Sequence, residues 1–148
     1  MDKSYSVIVT LNEIDTTFII TDGNKTIFSG ASPICWKHII NDVKQCLRIS
    51  EDEAKRLTAS KGSCLSTVEG TMLINAINVP TRVLSEIIEA RVCALFTSIK
   101  ETLKNEPLYR YVSSCQLNKN KYYIDGMEEV LERIMEKPAT ILLNTTEH

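Results

Sequence analysis

The spacing of the apolar residues changes period at Pro33, and that change constrains the fold more than any other feature of the chain. Before it, Ser4–Leu11 (SYSVIVTL) and Thr16–Thr21 (TTFIIT) are β-branched and apolar-rich, as buried strands are. Asp22-Gly23-Asn24 supplies a tight turn into a third strand at Lys25–Ser29. After it, Trp36, Ile39, Ile40, Val43 and Leu47 fall on one helical face, with Lys37, Asn41, Lys44 and Arg48 on the other. An antiparallel meander that runs straight into an amphipathic helix calls for a mixed α/β fold, because the helix has one stripe to bury and the sheet one face to cover.

The rest of the chain keeps alternating between the two periods. Ser50-Glu51-Asp52-Glu53 reads as a capping box that opens a second helix, with Ala54 and Leu57 as its short apolar face and Gly62 as its stop. Cys64–Val68 and Thr71–Ile77 suggest two strands around a Glu69-Gly70 turn. Pro80 and Thr81 start the longest helix, whose stripe Leu84, Ile88, Val92, Leu95, Ile99, Leu103 runs to about Lys104 before Pro107 stops it. A strand at Tyr109–Leu117, a polar loop at Asn118–Lys121, a helix capped by Asp125 with Glu128 at its third position, and a last strand at Ala139–Leu143 complete the order βββ-α-α-ββ-α-β-α-β.

Composition excludes several function classes. The net charge of −2 leaves no electrostatic footprint for nucleic acid. No apolar run approaches the roughly 18–20 residues of a membrane span, and MDKSYSVIVT leads directly into strand-like sequence. The 5 cysteines (Cys35, Cys46, Cys64, Cys93, Cys115) stand singly, which suits a reducing cytoplasm. With only His38 and His148 as histidines, a structural zinc site is not expected. His38 lies opposite the apolar stripe of its helix and reads as a solvated side chain. The carboxylates of Glu51-Asp52-Glu53 and Glu128-Glu129 are first-turn residues explained by the helix dipole. No catalytic residue is assigned.

The segment His38–Gly62 (HIINDVKQCLRISEDEAKRLTASKG), taken with Ile34–Cys35–Trp36 before it and Leu84–Phe96 (LSEIIEARVCALF) after it, resembles the bacterial cell-division FtsA family. The run from Ser85 to Val92, SEIIEARV, is similar to that family's LAEIIEPRVEEL, with Ala90 in place of proline. The resemblance implies the C-terminal half of an actin-like, ribonuclease H-like protein with a small inserted αβ subdomain. It assigns residues 1–49 plus 105–148 to subdomain 2A and residues 50–104 to an inserted subdomain 2B.

At the four positions where this family holds nucleotide, the residues have changed. The glycine-rich phosphate turn, D-[IL]-G-G-G-T-[TS]-D, is replaced by the run Thr10–Thr17 (TLNEIDTT), where Asn12, Glu13 and Ile14 stand for the glycines. Glycine serves there because backbone N–H groups must close on an anion with no Cβ in the way. The G-G pair that opens the next helix is Cys35-Trp36, and Trp36 shares the apolar face of Ile39 and Ile40. The A-E-x-[IL]-K word becomes Ala54-Lys55-Arg56-Leu57-Thr58, keeping the packing residues and changing the ligand residues. The last G-G turn corresponds to Lys119-Asn120, while Gly126-Met127 retains the likeness of the family's P-G-L helix start. The expectation is that this half binds no nucleotide and no other cofactor.

The resemblance further implies a non-catalytic cytoplasmic adaptor at the inner face of the division septum, binding the C-terminal peptide of FtsZ or another division protein and able to self-associate. Arg91, Lys100, Lys104 and Asn105 on the long helix are the implied peptide contacts. An amphipathic membrane helix is not expected in this chain, whose sequence closes on Leu142–His148 (LLNTTEH). Two alternatives stay open: an actin-like ATPase half that retains nucleotide, and a pilus-assembly or rod-shape type of actin-like scaffold.

Overall fold

A computed structural model describes residues 3–65 and 67–143. Five strands form one sheet in the order β3-β2-β1-β6-β7. β1 (Tyr5–Leu11), β2 (Thr16–Asp22) and β3 (Lys25–Ser32) make the antiparallel meander, and Asp22 opposite Lys25 leaves Gly23-Asn24 as its two-residue turn. Gly23 sits at φ 62°, the left-handed region such turns require. On the other edge of β1, β6 (Val112–Lys119) pairs in parallel, and β7 (Ala139–Leu143) pairs in parallel with β6.

Strand periodicity decides which face is covered. Val7, Val9, Leu11, Phe18, Ile20, Cys115 and Leu117 point to one side and are at most 1% exposed. The opposite side carries short polar pairs between strands: Ser6 with Ser114 at 2.9 Å, and Asn118 Nδ2 donating to Thr10 Oγ1 at 2.6 Å. Three helices cover the apolar face: α1 (Trp36–Leu47), α3 (Thr81–Lys104) and α4 (Met127–Met135). α3 lies between the other two, and Leu84, Ile88, Val92, Leu95, Phe96, Ile99 and Leu103 have no exposed surface. Each such side chain contributes about 1.5–3 kcal/mol on burial. The apolar stripe of α3 belongs to one buried cluster with the sheet residues.

α2 (Glu51–Lys61) begins as expected: Ser50 Oγ accepts from the Glu53 N–H at 3.1 Å. The Glu53 carboxylate does not reach back to complete the box; it is held by Arg56.

Three local expectations are corrected. The small hairpin is β4 (Thr71–Ile74) with β5 (Ile77–Pro80), turning at Asn75-Ala76, not Cys64–Val68 with Thr71–Ile77 around Glu69-Gly70. Gly70 instead precedes β4, and its carbonyl accepts from the Thr81 N–H that starts α3. The strand expected from Tyr109 begins at Val112, because Pro107–Tyr111 forms a 3-10 turn closed by the Glu106 carboxylate on the Leu108 N–H. α4 is entered through Gly126 at φ 85°, not through an Asp125 cap, and the Asp125 carbonyl accepts from the Cys64 N–H at 2.8 Å. Ser66 of the expected Cys64–Val68 strand, His148, and the end of the LLNTTEH tail lie outside the described residues.

The hairpin turn makes a testable point. Asn75 (φ 51°) and Ala76 (φ 66°) are both left-handed, and a Cβ at the second position is strained there. Ala76→Gly is expected to raise stability by about 0.5–1 kcal/mol in a urea melt, and a loss would contradict this account of the turn.

Alkaline pH tests the burial of the core thiols. Burial pushes the Cys115 thiol up to about 11, and the Cys64 thiol is pushed up further. An unfolded thiol titrates near 8.5, so above that pH the unfolded chain releases protons that the folded chain still holds. Stability is therefore complete at neutral pH and falls as pH rises towards 11, by about 1–3 kcal/mol for Cys115. Urea midpoints under reductant at pH about 7.5 and about 10.5 measure it; equal midpoints would contradict the assignment.

Candidate functional site

The four positions whose residues depart from the nucleotide-binding pattern are brought together by the fold around one side chain, Trp36. The turn between β1 and β2 closes over the start of α1, and the Trp36 N–H donates to the Asn12 carbonyl and the Lys37 N–H to the Glu13 carbonyl, both at 3.1 Å. The first N–H groups of a helix have no partner within the helix and are its anion-binding groups. Here two of them are taken by the carbonyls of the chain's own turn.

That turn is tied down from the other side as well. Asn120 Nδ2 donates to the Leu11 carbonyl at 2.8 Å, and the Tyr122 hydroxyl reaches Glu13 Oε2 at 3.3 Å. Within the turn, the Asn12 N–H donates to the Asp15 carbonyl at 2.9 Å, so the backbone is folded on itself. The loop Asn118–Lys121 has thus become a clamp on the β1–β2 turn.

Two aromatic rings divide the cleft. Trp36 and Tyr122 lie 5.2 Å apart between centroids at a tilt of 52°. Lys55 of α2 stands 6.0 Å from the Trp36 ring, and Lys121 stands 5.2 Å from the Tyr122 ring. Trp36 was expected to be core with Ile39 and Ile40; those two are buried, but Trp36 is half-buried and forms the wall between two cavities. The larger, about 480 Å³, is lined by the β1–β2 turn, the first turns of α1, and Glu51 and Lys55 of α2. The smaller, about 280 Å³, lies between Trp36, Thr58, Gly62, Lys121, Tyr123 and Asp125. Next to it, burial and the hydrogen bond to Glu128 (2.6 Å) push the Tyr123 phenol well up.

His38 is exposed, as expected, but it is not idle. Its Nδ1 accepts from the Cys35 N–H at 3.1 Å, and Cys35 Sγ lies 3.3 Å away. Together they cap α1, a Cys-x-x-His arrangement that sequence reasoning passed over because neither residue is a usual capping type.

The implied peptide contacts on α3 do not form one patch. Arg91 makes a bidentate pair with Asp42 of α1 (2.7 and 2.9 Å), and that hydrogen bond raises its pKa. Lys100 donates to the Ile134 carbonyl at 2.8 Å and to Glu136 at 3.2 Å, closing the C-terminus of α4. Lys104 is exposed beside Glu101 at 3.7 Å, and Asn105 caps α3 with its side chain on the Glu101 carbonyl. Only the last two lie together on open surface. No helix among the described residues is long and apolar enough to cross a membrane.

No family model and no curated protein matches the chain. Solved structures do. The chain superposes on the PilM-PilN type IV pilus biogenesis complex with a TM-score of 0.73 at 8% identity, covering 95% of this chain and 36% of that one. It superposes on MreB5 of Spiroplasma citri bound to ADP with a TM-score of 0.74 at 13% identity, covering 95% and 49%. A third likeness is to Ta0583, an archaeal actin homologue in complex with ADP, with a TM-score of 0.67 at 14% identity, covering 95% and 44%. The chain therefore spans less than half the length of each of these proteins and has the fold of one half of an actin-like molecule.

Proposed function

We propose that this chain is a non-catalytic actin-like scaffold that works by holding a protein partner, and that it serves as a division adaptor binding the C-terminal peptide of FtsZ. The observation that carries the first part is the closure of the β1–β2 turn on α1. Phosphate would have to displace two backbone hydrogen bonds and then lie beside the Glu13 and Asp15 carboxylates. Like charges at about 4 Å cost from about 1 kcal/mol at the dielectric of bulk water to about 4 kcal/mol at that of a protein surface. The subdomain reading, with residues 1–49 and 105–148 as 2A and 50–104 as 2B, belongs to this proposal.

The likeness to a pilus biogenesis complex and to MreB supports a second reading, a pilus-assembly or rod-shape type of scaffold with a different partner. Titration of a labelled FtsZ C-terminal peptide separates the two. The division reading expects saturable binding that Lys104→Glu weakens about two- to fivefold, as one exposed charge would. Arg91→Glu is unsuitable as a control, since it also breaks the contact with Asp42. A folded sample that does not bind the peptide rejects the division role and leaves the second reading.

A further inference from the structure

The five-stranded sheet has a second face, and no helix among the described residues lies over it. α1, α3 and α4 pack side by side on the first face, and α2 packs on α1 and α3. Most side chains that point away from this helical layer are half-buried or exposed. Alternate positions across 6–10, 17–21, 29–31, 114–118 and 140–142 make up that face. They carry serine, threonine, alanine, asparagine, glutamine, isoleucine or leucine, and none carries a charge. In a chain that is 24% charged, a sheet face of this width left in water would hold lysines and glutamates. The charges stand instead at the strand ends, as Lys3, Asp22, Lys25 and Lys119 do.

Two further features prepare this face for burial. Its middle is apolar, because Ile8 of β1 and Ile19 of β2 stand directly opposite each other. Its polar groups are largely paired within the sheet: Ser6 with Ser114 at 2.9 Å, Asn118 with Thr10 at 2.6 Å, and the Thr21 hydroxyl on the Ser6 carbonyl at 3.4 Å. Taking water from groups already paired orphans few donors or acceptors. Short side chains also leave the face flat. A flat, uncharged face gives a foreign partner no charge to read, whereas a second copy brings the same flat face to meet it.

Five strands at a spacing of about 4.8 Å, each presenting about five residues, span about 24 Å by about 16 Å, or about 400 Å² of plane per copy. Two copies together cover about 800 Å² before side-chain relief and the rim are counted, which is the range of weak, reversible association. We propose that two copies of this chain associate through this face, sheet on sheet about a two-fold axis, with Ile8 and Ile19 of each at the centre and the charged strand ends as the rim. The proposal does not rest on the scaffold reading: α1 and α3 lie on the helical side and stay free for other contacts.

Sedimentation equilibrium of the full chain, loaded from about 1 to about 200 µM, tests it. The expected mass rises with concentration from the 16.7 kDa of one chain towards twice that, and no further. Ile19→Lys should raise the dissociation constant at least about tenfold, because the two-fold axis buries the new charge twice. Thr140→Lys, exposed at the β7 edge of the same face, should raise it about two- to fivefold, and it decides the test if Ile19→Lys does not fold. Circular dichroism melts report the fold of each variant. Leu73→Lys, exposed on the β4–β5 hairpin, is the control and should leave the mass curve unchanged. The mass of one chain at every loading would overturn the proposal and leave this face to a different partner. A dimer that Leu73→Lys breaks, or that neither face variant weakens, would overturn it by placing the contact elsewhere. A mass that climbs beyond two chains would contradict the two-fold pairing.

Discussion

Phe96→Ala is expected to lower unfolding stability by about 3–5 kcal/mol, the largest loss from any single truncation proposed here. Phe96 has no exposed surface, and it sits on α3 where that helix passes between α1 and α4 over the sheet. Removing the ring leaves a void that its neighbours cannot all collapse into, so the lost transfer energy and the cavity cost add. A domain of ordinary stability has about 5–15 kcal/mol in total, which makes this a third or more of it. Thr97→Ala, one position along and exposed, is the internal control, with an expected change within about 0.5 kcal/mol. Urea melts of the two variants measure the difference. A loss below about 1 kcal/mol for Phe96→Ala would mean that α3 is not the central element of the core.

The second large effect is the coupling of Asp42 to Arg91. Two charge-assisted hydrogen bonds join α1 to α3, with the side chains 25% and 32% exposed respectively. Exposure of that order screens the pair, so the expected coupling is about 1–2 kcal/mol, more than an open surface pair and less than a buried one. A double-mutant cycle with Asp42→Ala, Arg91→Ala and the double variant isolates it. Coupling below about 0.3 kcal/mol would place the pair among surface contacts that do not brace the helices. The same cycle separates a structural Arg91 from a partner-binding one, since a bracing residue changes stability and leaves peptide affinity nearly unchanged.

How much of this was legible in the sequence depended on whether the signal was local. α3 could be placed at Thr81–Lys104 because its stripe is continuous and Pro107 cannot extend it. The meander was legible because β-branched runs and a Gly-Asn turn act over a few residues. The 3-10 turn at Pro107–Tyr111 was hidden because its aromatic residues also suit a strand, and only the Glu106 carboxylate on the Leu108 N–H tips the balance. The start of α4 was misplaced because Asp125 is a favoured cap type, whereas Gly126 at positive φ takes that position.

The candidate site was legible as a set of substitutions and illegible as a place. Periodicity had no means of bringing Trp36 against Tyr122 or of laying the Asn12 and Glu13 carbonyls on α1, because both depend on contacts between distant segments. The likeness to an FtsA helix made Arg91 and Lys100 look free. In the fold each has a partner from another helix, Asp42 for one and the end of α4 for the other.

The measurement that bears most directly on the central claim is isothermal titration of this chain with ATP and magnesium. The β1–β2 turn holds two of the first N–H groups of α1, Glu13 and Asp15 add negative charge, and Trp36 with Tyr122 divides the cleft into two smaller cavities. The account predicts no saturable heat at millimolar nucleotide, with the chain folded throughout. Saturable binding at micromolar ATP would contradict it, since the turn would then open for phosphate and the chain would be a nucleotide-binding actin-like half.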